Sequence, residues 1–321
     1  MLKEMLARKL LIPTVALLAL SLIYVLPETK KDFHEQLPQK LEYINTDVDT
    51  HVIYLLDSYN MLGRTEVVVS SNQEIEQKAK ELMEILIKGG TGESKIPSGF
   101  NSILPSDTRI LSIKYEEGLL KINLSKEVLD IRAELEEKMV EAIVYTLTSI
   151  DEVKNIILYV EGDILTKLPK TKINLPSTLN REFGINKKYD MQTYKDVNKI
   201  TIYYLNKYND NYYYVPVTKY VNDNREKIQI VIDELSSSHV YDGNLMSFLS
   251  NNAKLLAVEK TDDLMHLKFN SYIFSDNINE QILEEVIYTI CLSIKDNYDV
   301  KEVVIEVDDK EVTKKALKTL E

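Results

Sequence analysis

Glu141-Ala142-Ile143-Val144-Tyr145-Thr146-Leu147-Thr148 returns near the end of the chain as Glu284-Glu285-Val286-Ile287-Tyr288-Thr289-Ile290-Cys291. In this alignment Tyr145 answers Tyr288. An apolar-periodic run precedes each stretch, and a β-branched run follows each. These runs are Asn155-Ile156-Ile157-Leu158-Tyr159-Val160 and Glu302-Val303-Val304-Ile305-Glu306-Val307. A helix that feeds a strand, used twice, marks a repeated structural unit, and internal repeats decide the fold before any local reading does.

Working outward, each copy reads β-β-α-β-β-α-β. In the first, residues 51–56 and 66–69 are strands by β-branched and aromatic content, with Asn60 and Gly63 as turn residues between them. Residues 74–88 form an amphipathic helix that stops at Gly89-Gly90. Residues 109–115 and 119–124 pair through Glu117-Gly118, a hairpin signal. The long helix is expected over 132–150 and the closing strand over 155–160. The second copy places strands at 200–205 and 212–217, a helix at 224–236, strands at 254–259 and 265–270, a helix at 278–295 and a last strand at 302–307. The expected fold class is α+β, with two similar domains at 51–161 and 200–321. In each, helices pack on a mostly antiparallel sheet and bury both apolar stripes at once. Residues 162–199 form a connector too long for a tight turn. It carries Lys167, Lys170 and Lys172, and part of it is expected to pack on the first domain.

Residues 1–26 read as a cytoplasmic tip and a signal-anchor helix. Lys3, Arg8 and Lys9 precede residues 10–26, a stretch without charge. As a helix it is about 26 Å long, against a hydrocarbon core of about 30 Å. The basic flank keeps the tip inside and sends the rest of the chain outward. A cleaved signal peptide is the alternative, since Ala19-Leu20-Ser21 has the small-x-small pattern, although inside the apolar run. Residues 27–50, polar and with Pro27 and Pro38, read as a stalk.

Of the 321 residues, 51 are acidic and 39 basic, a net charge of −12, which argues against nucleic acid as a partner. The lone cysteine, Cys291, excludes an intramolecular disulfide, and its place on the apolar stripe of the last helix reads as a small buried hydrophobe. The 20 tyrosines, against 6 phenylalanines and no tryptophan, suit strands and their edges. Tyr203, Tyr204 and Tyr212-Tyr213-Tyr214 could alternatively stack on sugars. The four histidines lack metal-ligand spacing. Glu134, Glu136, Glu137 and Glu141 read as a solvated helix face rather than opposed acid/base carboxylates. Asp308-Asp309 reads as a turn. The sequence therefore assigns no catalytic, cofactor-binding or metal residue and no enzyme activity.

The ordered set of features resembles the GerMN domain family, the tandem module of sporulation and germination proteins in endospore-forming bacteria. The features that carry the resemblance begin with Val52-Ile53-Tyr54-Leu55, Gly89-Gly90 and Ile103-Leu104-Pro105-Ser106-Asp107-Thr108-Arg109-Ile110-Leu111. They continue with Lys121-Ile122-Asn123-Leu124-Ser125, Val144-Tyr145-Thr146-Leu147 and, in the connector, Asn180-Arg181-Glu182-Phe183-Gly184-Ile185-Asn186. The second copy is more divergent, with Asn252-Ala253-Lys254-Leu255-Leu256 where the first has Pro105 to Leu111. The resemblance implies an extracytoplasmic scaffold for spore envelope assembly and germination, working through contacts with other sporulation envelope proteins. It also implies a site between mother cell and forespore and no catalysis. A peptidoglycan-binding or wall-remodelling accessory protein is the alternative.

Overall fold

The structure is a computed structural model that describes residues 49–71, 73–237, 244–276 and 278–317. The expected anchor, residues 10–26, lies outside the described residues. Among those described, no helix is long and apolar enough to cross a membrane.

The first repeat opens with β1 (Thr50–Leu56) and β2 (Leu62–Val68), an antiparallel hairpin. Helix α1 (Ile75–Leu86) follows, then β3 (Ile110–Glu116) and β4 (Leu119–Leu124). The turn between these two strands is Glu117-Gly118, both at positive φ (45° and 86°), the two-residue geometry that matches strand twist. Helix α2 (Ala133–Leu147) crosses over to β5 (Asn155–Val160), which pairs parallel to β4, and β6 (Asp163–Ile164) closes this four-stranded sheet. The connector then forms β7 (Lys188–Asp190). The second repeat uses β8 (Asn198–Tyr208), β9 (Asn211–Val221), α3 (Lys227–Leu235), β10 (Leu255–Lys260), β11 (Leu264–Phe269), α4 (Glu284–Asn297) and β12 (Glu302–Val307) in the same order. Strand β13 (Lys310–Ala316) completes a second four-stranded sheet, β10-β11-β12-β13, again with one parallel pair, β11 with β12.

Two apolar cores result. One gathers Ile53, Leu82, Ile122, Ile143 and Leu158, and the other gathers Ile202, Val231, Leu267, Ile290 and Ile305. Cys291 sits in the second as a buried thiol, its pKa pushed up to about 12 by desolvation.

Several elements depart from the sequence reading. Strands β8 and β9 run 11 residues each, well past the 200–205 and 212–217 expected. Helix α4 begins at Glu284 rather than 278, because Asp276 Oδ1 accepts from the backbone N–H groups of Ile278 (2.8 Å) and Asn279 (3.2 Å). This Asx turn competes successfully with helix at that position. Strand β13 was not expected. Asp308 and Asp309 turn the chain with φ of 50° and 62° and so build a hairpin without glycine, within the tolerance of Asp for the left-handed region.

The repeat itself holds, but its register is not the one the matching Tyr-Thr pairs suggest. Thr146 Oγ1 of α2 accepts the backbone N–H of Tyr54 in β1 at 3.1 Å, and Ser293 Oγ of α4 accepts that of Tyr203 in β8 at 2.9 Å. Both hydroxyls cap the outer edge of a hairpin strand, satisfying a buried donor that has no ladder partner there. The spacing from Thr146 to Ser293 equals that from Asn155 to Glu302, the first residues of β5 and β12. The pair Tyr145 and Tyr288 falls one helical turn short of it. Structurally, Leu292 answers Tyr145 and Glu141 answers Tyr288. Tyr145 is accordingly fully buried, whereas Tyr288 is half-buried and stacks on Tyr214 with ring centroids 5.9 Å apart.

Replacing Thr146 by Val would leave the Tyr54 N–H buried without an acceptor. The expected loss is about 1–3 kcal/mol, whereas Thr146→Ser, which keeps the oxygen, should cost less. Urea unfolding of both variants measures this, and equal losses would remove the hydroxyl from the explanation.

Candidate functional site

The feature with the densest set of specific contacts is the seam where the two hairpins meet. Strand β9 pairs with β8 along one edge. Its other edge would be open, but four pieces of the first repeat and connector cover it in succession. At Tyr214 it is β2, through the Arg64–Tyr214 pair. At Pro216 it is the side chain of Asn186. At Thr218 it is the backbone of Ile185, with Ile185 N–H to Thr218 Oγ1 at 2.9 Å and Thr218 N–H to Ile185 O at 2.8 Å. From Lys219 to Val221 it is β7, running parallel.

Asn186 explains how a proline fits inside this sheet. Pro216 offers no N–H, and its carbonyl accepts from Asn186 Nδ2 at 2.8 Å. The same amide donates to Leu62 O (2.9 Å) and accepts from Leu62 N–H (3.0 Å). The side-chain amide thus stands in for a peptide unit between β2 and β9, where a ladder alone would fail at proline. Two glycines permit the approach. A Cβ on Gly63 would lie 2.8 Å from the Phe100 ring and 2.9 Å from that of Tyr213, and one on Gly184, at φ 83°, would lie 3.1 Å from Thr218. Phe100 packs into both cores and meets Tyr213 edge-on at 4.8 Å.

A second group of contacts centres on Arg181. Its guanidinium donates to Asp296 Oδ1 (2.5 Å), Thr148 Oγ1 (3.1 Å) and Tyr145 O (3.4 Å), and it lies 4.9 Å from the centre of the Tyr145 ring. Tyr203 donates to the other Asp296 oxygen at 2.9 Å and lies 3.0 Å, hydroxyl to hydroxyl, from Tyr54. First repeat, connector and second repeat therefore share one buried polar network. The hydroxyls of Tyr145 and Tyr203 are held well above the usual phenol range, first by desolvation and then by Asp296. A third contact is Asp57, buried at the end of β1. It caps its own turn through the N–H groups of Tyr59 and Met61, both at 2.8 Å, and accepts from Asn206 (3.2 Å) and the Tyr213 hydroxyl (2.9 Å) of the second repeat.

Two expectations change here. Tyr203, Tyr204 and Tyr213 are buried, so these rings are not sugar platforms, and only Tyr212 of the five faces solvent to any large degree, at 42% exposure. The glutamates of α2 are not a solvated face either. Glu134 is exposed beside Arg132, but Glu136 and Glu141 are buried because the connector folds back over the helix. Glu136 receives the N–H groups of Lys170 (2.8 Å) and Thr171 (2.6 Å), and Glu141 receives that of Asn186 at 2.8 Å. The stretch 180–186 carries a family resemblance in the sequence, but nothing in it marked these residues as a joint between the repeats. No residue spacing announced the roles of Asp57 and Asp296.

Burial pushes the Glu141 carboxyl from 4.5 up to about 7, against the pull of Lys138, Lys187 and the Asn186 N–H, and with a smaller push from Glu137. A raised carboxyl means that the folded chain binds the proton more tightly than the unfolded chain. The resulting stabilisation, about 3 kcal/mol, is complete below pH 4.5 and is lost as the pH rises through about 7. Glu141→Gln should remove this part of the pH dependence. Matching pH profiles of unfolding free energy for the two proteins would contradict that. Arg181→Met leaves Asp296, whose side chain is 2% exposed, without its cation. The expected loss is about 3 kcal/mol in the same unfolding measurement.

The family model described as "Germane: Sporulation and spore germination" matches twice, over residues 52–166 and 201–313. The chain is 30% identical over 240 residues to the spore germination protein GerM of Bacillus subtilis (strain 168), which takes in 73% of this chain. It spans 66% of the length of that relative. A solved structure of the tandem GerMN domains of the sporulation protein GerM from Bacillus subtilis superposes with a TM-score of 0.74 at 28% identity, covering 82% of this chain and 92% of the other. With two separate family matches and a tandem fold in common, the chain belongs to the Germane family of sporulation and spore germination and carries its domain twice.

Proposed function

We propose that the chain is a non-catalytic scaffold of the spore envelope, held at the membrane by residues 10–26, with its two repeats outside the cytoplasm. It presents those repeats to other envelope proteins in one fixed mutual geometry, during spore assembly or in preparation for germination. The observation that carries this reading is the seam. Asn186, Arg181 and Asp57 spend buried polar contacts on joining the repeats, and buried networks of this kind serve conformational uniqueness. A binder that touches one partner through both repeats gains from such preorganisation, because little orientational freedom is left to lose on binding. The family relationship supports a role in sporulation or germination, and the uncharged stretch behind a basic flank supports the anchor.

The test is complementation in a spore-forming host that lacks its own relative of this chain. The full chain should restore spore formation or germination and should sediment with membranes. Replacing residues 1–26 by a cleavable export signal should leave the repeats folded but lower the rescue. The same loss is expected for a seam variant, Arg181→Ala with Asn186→Ala, exported to equal levels. Full rescue by the unanchored form would overturn the anchor, and full rescue by the seam variant would overturn the fixed geometry.

A further inference from the structure

We infer, resting on the scaffold role proposed above, that the corner formed by β7 and residues 191–197 grips a partner protein, with Tyr194 as the anchor. Tyr194 is 93% exposed and Tyr189 59%. Tyr189 stacks on Tyr220 of β9, with ring centroids 4.9 Å apart and planes 15° from parallel. Tyr194 belongs to the same corner, because Asn222, the residue after β9, holds its loop. Asn222 Oδ1 accepts the N–H groups of Gln192 (2.8 Å) and Thr193 (3.1 Å), and its Nδ2 donates to the carbonyls of Thr193 (3.1 Å) and Lys195 (2.8 Å). Residues 192–196 are all exposed, and among the described residues Tyr194 has neither a ring contact nor a hydrogen bond. Fixing such a segment costs about 1–2 kcal/mol of backbone entropy per residue, and no apolar burial at these positions offsets it. A loop locked with a bare aromatic ring at its tip suits binding, where ordering done in advance is not lost again. Tyrosine adds a wide, stiff, amphipathic contact area with few torsions to freeze.

The chemistry of the corner selects a protein with an apolar socket for a phenol ring and a hydrogen-bond acceptor at its floor. Sugars also stack on tyrosine, but their hydroxyls need free polar groups beside the ring. Here those groups are engaged: the Asn222 carboxamide is spent on the loop, and Asp190 pairs with Lys219 at 2.9 Å. Lys195 and Asp196 balance one another at the tip, which leaves no basic excess to draw it to an anionic bilayer or to nucleic acid. A second copy offers no matching socket in its clefts, which are lined by charged side chains at Arg181 and at Glu81. Strand β7 is also the strand that ties the connector to β9. A partner seated there bears on the segment that fixes the two repeats against each other.

A photoreactive phenylalanine analogue in place of Tyr194, in the full chain and in sporulating cells of the complementation host, provides the test. Irradiation should join the chain to one different protein in the membrane fraction. Asn222→Ala, checked for native circular dichroism and an unchanged Tm, should lower the yield of that product about tenfold. In the chain without the analogue, Tyr194→Ala should lower the rescue of spore formation or germination. Tyr272→Ala, which removes an exposed tyrosine of the second repeat, should not. Full rescue by Tyr194→Ala alongside loss in the seam variant would overturn this surface and leave the scaffold role standing. No product at position 194, a product of two copies of this chain, or equal yields with and without Asn222 would also overturn it, whether or not the chain restores spores. Sedimentation of the purified chain with peptidoglycan that is lost on Tyr194→Ala would assign the corner to a glycan instead and overturn the protein partner.

Discussion

One amide side chain supports much of this structure. The outer edge of β9 carries a proline where a neighbouring strand would need an N–H, and Asn186 fills the position with a carboxamide that bonds to Leu62 and Pro216 together. Without it, β2 and β9 would lose the bridge from Leu62 to Pro216 and keep the Arg64–Tyr214 pair. With it, the hairpins of both repeats become parts of one sheet, and the Asn186 backbone, at a φ of 46°, is held by the buried carboxyl of Glu141. The chain segment between the repeats is therefore a structural element rather than a tether. Leu168, Leu175, Leu179 and Ile185 anchor it in the first core, and β7 anchors it to the second repeat.

The duplication also shows where symmetry was given up. A helix hydroxyl accepts from the edge strand in both copies, Thr146 in one and Ser293 in the other. One turn earlier on the same helices, the copies diverge. Glu141 turns to the connector, whereas Tyr288 turns to Tyr214. The first copy has the connector draped over its long helix, so its equivalent position must hold a polar partner for a backbone N–H. In the second, Tyr288 stacks on Tyr214 at the corresponding place.

This divergence explains what could be read from the chain beforehand. Alternation and helical periodicity were enough to place the α+β order, the Glu117-Gly118 hairpin and the buried Cys291. They could not set the repeat register, because residues four apart share a helix face and a one-turn slip leaves the apolar pattern intact. The Tyr-Thr match between Tyr145-Thr146 and Tyr288-Thr289 exploited that degeneracy. The seam was not legible, since the family resemblance of residues 180–186 said nothing of what they touch. Its partners, Asp57, Glu141, Pro216 and Asp296, come from separate elements, and long-range polar pairing leaves no periodic trace. The buried glutamates were misread for the same reason, since a charged residue on a helix looks solvated until the segment that covers it is known.

The claim on which the rest depends is that the repeats unfold as one body. Equilibrium urea unfolding, followed by far-ultraviolet circular dichroism and by tyrosine fluorescence, tests it most directly. A single transition is expected, coincident for both probes, that separates into two when Asn186 and Arg181 are both replaced by alanine. Two separated transitions in the unaltered chain would contradict it.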